Sequence, residues 1–363
     1  MKKFWSIMVP LLTVLIGILF GAIVMQVFHY DAIAGYKALY TGALGNPFSI
    51  GQTLRAATPL IFTGLGFAVA YTAGFFNIGL AGQALWGWLV SVWIGLLLPD
   101  APKYIVLPLA ILGGMTAGAL WAAIAGYLKA QFETSEVIVT IMLNYVAIFV
   151  ADYLVRNVMT DHMDASPVIG ENANLRVEWL SQMTNGSTAH GGLFLALIMA
   201  VLVYIMMKRT TVGFELKAVG LNKDAALYAG INAKRNIILA MVLSGALAGL
   251  GGVMNGLGEF RNIFLMNGVA PAIGFDGMAV SLLGANNPIG IIFAAFLFGG
   301  LKTGGNLMPM MAKVPAEIVN IVIASIIFFV GSSYVITYFL NKKNRPKNNL
   351  ANTDTVVQGG EQA

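Results

Sequence analysis

Two carboxylates stand inside apolar sequence, Asp276 in AIGFDGMAVSLL and Glu317 in PAEIVNIVIAS. A carboxylate among hydrocarbon is costly and must face protein or water, where it can hold a cation, move a proton or accept hydrogen bonds from a cargo. Each also has a plainer reading. Asp276 falls near the outer start of its segment, where interfacial water satisfies it. Glu317 follows Pro315 in what reads as the first turn of a helix, where negative charge complements the helix dipole. His29, His162 and His190 have no mutual spacing for a metal and are expected at the outer surface without a role. With no cysteine, the chain has neither a thiolate nucleophile nor a disulfide framework. No G-x-x-x-x-G-K-[ST], H-E-x-x-H or G-x-S-x-G occurs, so catalytic residues and a metal site have no support. Nor are charges strung through several apolar segments as a proton relay would need.

The elements that hold these residues are membrane helices. Hydrophobic residues make up 58% of 363 positions and charged residues 10%, with a mean hydropathy of +0.78; soluble domains carry roughly 25% charge. Runs such as 7–28 and 318–339 reach the about 20 apolar residues that a bilayer crossing requires. The first run exceeds a signal-peptide core of about 7–15 residues and no small-x-small site ends it, so it reads as a retained helix. Ten segments are expected, at 7–28, 52–73, 78–98, 104–128, 137–157, 191–208, 237–257, 272–284, 289–306 and 315–340. The fold class is all-α: a polytopic membrane bundle over 1–340, with broken or re-entrant helices.

Cytoplasmic loops retain Lys and Arg. With the N-terminus inside, eight basic residues fall outside or at boundaries (Lys37, Arg55, Lys103, Arg156, Arg176, Arg261, Lys302, Lys313) and the other thirteen of the 21 fall inside, clustered. Both termini are therefore expected in the cytoplasm, and the net charge of +5 needs no nucleic-acid partner. The largest outward segment, 157–191, carries Asp161, Asp164, Glu171 and Glu178 against Arg176 and is either a solvated connector or a platform for an extracytoplasmic partner. The tail 341–363 is basic, then polar without apolar periodicity, and is expected to be disordered.

Three stretches carry pattern. Gly245, Gly249, Gly252 and Gly256 share one helix face, and Gly114 and Gly118 repeat the spacing, which allows backbones to pack closely or to slide. The stretch TPLIFTGLGFAVAYTAGFFNIGLAGQ, 58–83, sets Pro59 and five glycines in apolar sequence, and interrupted segments point to a translocation path. There Asn77 and Gln83 either line the path or cap broken ends. A second such stretch, 271–288, suggests an internal duplication. Finally VGFELKAVGLNKDAALYAGI, 212–231, is a polar loop with many apolar and small residues, suited to be gripped by a soluble partner, with a short helix over about 222–229 offering Ala225, Ala226 and Leu227.

The 213–231 loop, the 58–83 stretch and YKALYTGALG at 36–45 together resemble the permease subunit of bacterial ABC importers in the branched-chain amino acid and ribose permease superfamily. The likeness spans about residues 5–340, and FNIG-x-x-GQ at 76–83 tilts it to the nucleoside branch with a BMP-type lipoprotein receptor. The resemblance implies a coupling helix within 209–236 that contacts the ATPase, carried over onto Gly213, Glu215, Ala218, Gly220, Asp224, Ala225, Ala226, Tyr228, Gly230 and Ile231. Lys217 stands where many relatives have Arg, which keeps charge but loses a planar bidentate contact. It also implies a cell-membrane location, a second and homologous permease, an ATPase subunit that holds ATP and Mg, and a substrate-binding lipoprotein. This chain would carry no cofactor and no enzymatic activity. For a nucleoside cavity, Phe75, Phe76, Asn77, Gln83 and Asn144 have suitable chemistry. Import of ribose or branched-chain amino acids is the nearest rival, and a secondary transporter a more distant one.

Overall fold

The computed structural model describes residues 2–331; the expected tail and the end of the tenth segment lie outside the described residues. Fifteen α-helices follow in order: α1 (Lys2–Val27), α2 (Ala32–Leu44), α3 (Pro47–Thr72), α4 (Leu80–Leu97), α5 (Lys103–Phe132), α6 (Glu136–Leu154), α7 (Glu178–Met183), α8 (Gly192–Arg209), α9 (Thr211–Leu221), α10 (Lys223–Tyr228), α11 (Ala233–Val253), α12 (Ala272–Leu283), α13 (Pro288–Gly305), α14 (Met308–Ala312) and α15 (Ala316–Gly331). π-helical turns extend α6 over Val155–Met159 and α11 over Met254–Phe260. Among the described residues seven helices are long and apolar enough to cross a bilayer, and three shorter apolar helices, Leu12–Val27, Ala272–Leu283 and Ala316–Ser325, fill the remaining expected positions. The polytopic helical bundle is borne out, with ten as an approximate count.

Local sequence explains most boundaries. Helix starts leave N–H groups that a side-chain oxygen must accept. Asp31 does so for α2, Asn46 for α3, Ser135 for α6, Thr210 for α9, Asn222 for α10, Asn232 for α11 and Asn287 for α13. Pro47 and Pro288 follow two of these caps at the first helical position, where a missing N–H costs nothing. The 36–45 motif belongs to α2, a short helix packed on α13 that the hydropathy pattern did not separate from its neighbours.

The 58–83 stretch is not broken where its Pro and Gly suggested. α3 runs unbroken through Pro59, Gly64 and Gly66, and the chain departs from helix only at 73–79. The reason is packing: α3 is the most enclosed span, and a Cβ on Gly66 would stand 2.7 Å from the Ser244 carbonyl of α11. Around α11 the expected close approach holds. Gly249 faces α5 so closely that an added Cβ would lie 2.6 Å from the Gly114 carbonyl, and α4 presses on the same helix through Gly252 and Ala84. α1, α2, α14 and α15 form a satellite core through Met25, Ala38, Met308, Ile318 and Val322.

Residues 157–191 fold onto the bundle instead of hanging as a solvated connector. Ser166 and Ile169 donate backbone bonds to Ile263 and Arg261, at 2.7 and 2.8 Å, and Asn172 ties the segment to the carbonyls of Leu98, Pro99 and Ala101. His190, expected at the surface, is 2% exposed. Burial, then the charges of Arg55 and Arg176, push its pKa down to about 4, because a cation there would be both dehydrated and repelled.

Candidate functional site

At one end of the bundle α9 and α10 lie across the ends of the spans. Thr210 caps α9 by accepting from the Gly213 N–H at 3.3 Å, and Asn222 ends α9 and caps α10 through the Ala225 N–H at 2.9 Å. The inner side of α9 is anchored at three places. Gly213 seats against Met206 and Met207 of α8, where Lys217 Nζ also donates to the Met207 carbonyl at 2.5 Å. Glu215 accepts from Asn236 of α11 at 2.9 Å. Gly220 packs on Thr72, Ala73 and Gly74 beyond α3, and Gly74 has φ +86°, a conformation that suits glycine. The outer side exposes Phe214, Leu221, Leu227 and Tyr228, the last at 94%. Asp224 and Ala225 are exposed too, whereas Ala226, expected in an outward docking face, turns inward and is buried. Lys223 pairs with Glu133 at 2.8 Å, holding that carboxyl below its usual range and tying α10 to the α5–α6 turn.

Beside this platform the backbone breaks. Asn77 accepts from the Gly79 N–H at 2.9 Å and donates to Gln83 and to Ser244 of α11 at 3.0 and 2.9 Å. Asn144 of α6 accepts from the Gly82 N–H at 2.8 Å and donates to the Ile78 carbonyl at 2.9 Å. All three amide side chains are at most 4% exposed. Asn77 and Asn144 do what a cap does, satisfying orphan N–H groups at the start of α4, whose N-cap residue is Gly79 and has no side chain to do so, while Gln83 holds Asn77 in place. Phe75 is buried, and Phe76 meets Phe67 edge-on at 5.1 Å.

Charged side chains from four segments meet nearer the other end. Arg55 of α3 pairs with Glu259 of the second π turn at 3.1 Å, and Lys302 of α13 pairs with Asp276 of α12. Asp276 thus faces protein and has a cationic partner, and the pairing offsets part of the cost of holding these charges within a helical bundle. Glu317 lies exposed in the first turn of α15, in keeping with its helix-dipole reading. Among the described residues no group of three or more metal-ligating side chains occurs.

The family described as branched-chain amino acid transport system / permease component matches residues 49–331. The chain belongs to this permease family. The guanosine ABC transporter permease protein of Bacillus subtilis is 46% identical over 341 residues, 94% of this chain and 97% of the relative. The nucleoside ABC transporter permease protein of Lactococcus lactis is 48% identical over 349 residues, 94% and 95% of the two chains. A glucose ABC transporter permease protein of Haloferax volcanii is 32% identical over 337 residues, 89% and 87%. The same two bacteria each have a further guanosine or nucleoside permease that the permease matches at 26% and 27%, over 83% and 82% of its own length and 94% of each relative.

The resemblance read from three motifs is thus borne out, and the permease is a transport component of a membrane, not an enzyme. The structure gathers the carried-over residues into two groups: Gly213, Glu215, Ala218 and Gly220 toward the bundle, and Asp224, Ala225, Tyr228 and Gly230 outward, with Ala226 inward and Ile231 partly covered. It brings Asn77, Gln83 and Asn144 together although 144 is far along the chain. Sequence reading missed Arg55 and Glu259 as partners. The available signal was Arg55, a lone charge in the apolar segment 52–73, which demands a partner from elsewhere in the protein.

Proposed function

We propose that the permease forms the path for nucleosides through a bacterial cell membrane, powered by an ATPase subunit that docks on α9–α10 and holds the ATP and Mg. Near-full-length similarity to a guanosine and a nucleoside permease carries the cargo assignment. The exposed Phe214, Leu221, Leu227 and Tyr228 support docking, since aromatic and aliphatic side chains presented on a rigid helix are what a soluble groove grips. Force has a route. Gly220 sits on the end of α3 and Glu215 holds α11, so a tilt of α9 moves two central spans together.

The platform end is the cytoplasmic one in this reading, supported by Lys129, Lys208, Lys217, Lys223, Lys234 and Arg235 gathered there. Both termini then lie in the cytoplasm, and the folded segment 157–191 faces outward, toward a substrate-binding lipoprotein. The existence of second, more distant permeases in the two bacteria supports a homologous partner over a second identical copy. Phe75, Phe76, Asn77, Gln83 and Asn144 act on the path in this reading by fixing the break between α3 and α4: Asn77 and Asn144 bond its backbone, Gln83 holds Asn77, and the two phenylalanines pack beside it.

The test is uptake of labelled guanosine at low concentration by cells with and without this chain, challenged with excess pyrimidine nucleoside, ribose, glucose or leucine. Loss on deletion, with competition from nucleosides alone, is expected. Uptake that is untouched, or competed by sugar or leucine, refutes the cargo. Tyr228→Ala is expected to cost about 2 kcal/mol of docking, roughly 30-fold in affinity for the ATPase subunit; co-purification of that subunit at wild-type yield and affinity would refute the docking face.

A further inference from the structure

A cleft of about 340 Å³ opens between α3, the π turn after α11, the end of α13 and the start of α15. Small-molecule sites span about 300–1,000 Å³, so it can hold one compact ligand. Its lining combines three chemistries. Phe260 lies stacked on Trp88, with centroids 5.1 Å apart and planes 16° apart, and remains 42% exposed. Arg55 and Glu259 pair within the lining, and Lys302 of the lining is neutralised by Asp276, which does not itself line the cleft, so these four charges leave no net charge for an ionic ligand. Lastly Arg55 Nε, Asn255 Oδ1 and Thr303 Oγ1 are buried with no hydrogen-bond partner among the described residues.

Buried polar atoms are nearly always satisfied, so three orphans around one cleft call for an explanation. They are shut off from solvent in this state, and a ligand reaches them only as the cleft widens. The missing bonds therefore favour a widened, occupied cleft over a closed, empty one. The π turn adds to this, because its extra residue per turn swings Asn255, Glu259 and Phe260 toward one wall; such turns often mark functional positions. The two helices that carry the Arg55–Glu259 pair are also the two gripped at their far ends by α9: α3 at Gly220 and α11 through Glu215 and Asn236. Relative motion of α3 and α11 thus reaches the cleft directly.

We propose that this cleft holds the nucleoside in transit, with the flat base against Phe260, the base's polar edge toward Asn255 and Thr303, and the ribose hydroxyls toward the Arg55–Glu259 pair. A nucleoside is neutral, has a flat face and carries donors and acceptors on its rim, which matches the three chemistries of the lining. The proposal rests on the nucleoside reading above and deepens it.

The experiment uses the complete transporter, with its receptor, ATPase and both permeases, reconstituted in liposomes and supplied with labelled 8-azidoadenosine during ATP turnover, then photolysed. Label on the permease within 254–260 or 302–306, displaced by excess guanosine, is expected. Asn255→Ala and Thr303→Val are each expected to lower it roughly tenfold, the loss of one hydrogen bond, while Thr303→Ser retains it. A merely structural Thr303 would not distinguish Ser from Val in labelling at equal recovery of complex. Label on the receptor with permease label confined elsewhere, for instance to 75–83, overturns the cleft and leaves the nucleoside reading standing. A receptor and permease that both take no label overturn the two together.

Discussion

Asn144 spends both ends of its amide on the backbone of another segment, accepting from Gly82 and donating to Ile78. Replacing it by Ala strands a buried N–H at about 1–3 kcal/mol and a part-buried carbonyl at the low end of that range, about 1 kcal/mol. Asn144→Ala is therefore expected to destabilise the permease by about 2–4 kcal/mol, read as a lowered thermal midpoint in detergent; a midpoint equal to wild type would mean that the break is held by other bonds. His190 gives the residue scale a pH dependence. Its folded pKa, about 4, lies below the ordinary histidine value of 6.5, so the unfolded chain takes up the proton first. Stability is unaffected above pH 6.5, falls as pH drops from 6.5 toward 4, and loses about 3 kcal/mol over that window. The difference between wild type and His190→Gln isolates this from carboxylate titration: the variant's midpoint should decline less over the same window, and parallel curves would refute the assignment.

Among elements, α4, α5 and α11 are specified by what they lack. With lipid on the outside there is little hydrophobic gain in joining helices, so association rests on backbone proximity and van der Waals contact. Gly114, Gly118, Gly245 and Gly249 supply that proximity, and the periodic spacing made it legible from sequence. A valine at 249 would drive its branched Cβ into the Gly114 carbonyl, and overpacking costs typically about 1–3 kcal/mol. Gly249→Val is expected to reduce the recovered, monodisperse protein in gel filtration, while Gly186→Ala, at a site with open space but φ +81°, should cost less. Equal recovery for both would deny the tight packing. α3 taught the opposite lesson. Its Pro59 and glycines read as breaks, yet they sit in an unbroken helix, because small residues serve helix packing and chain interruption alike and only the neighbours decide which.

At the scale of the whole molecule, hydropathy was enough to determine an all-α polytopic bundle, and three local motifs the permease family. Those features are local: a span needs its own apolar length, a cap its own Asn or Ser, and a motif its own run of residues. The tertiary structure alone decided which polar side chains meet. Asn77 joins Ser244 across 167 positions, and Arg55 joins Glu259 across most of the chain. Asn77 and Asn144, chosen by chemistry, bond the backbone at the start of α4, and Arg55 and Lys302, expected at boundaries, are paired beside a cleft. A side chain's type states which bonds it requires; which partner supplies them depends on the packing of helices distant in sequence, and no periodicity along the chain encodes that.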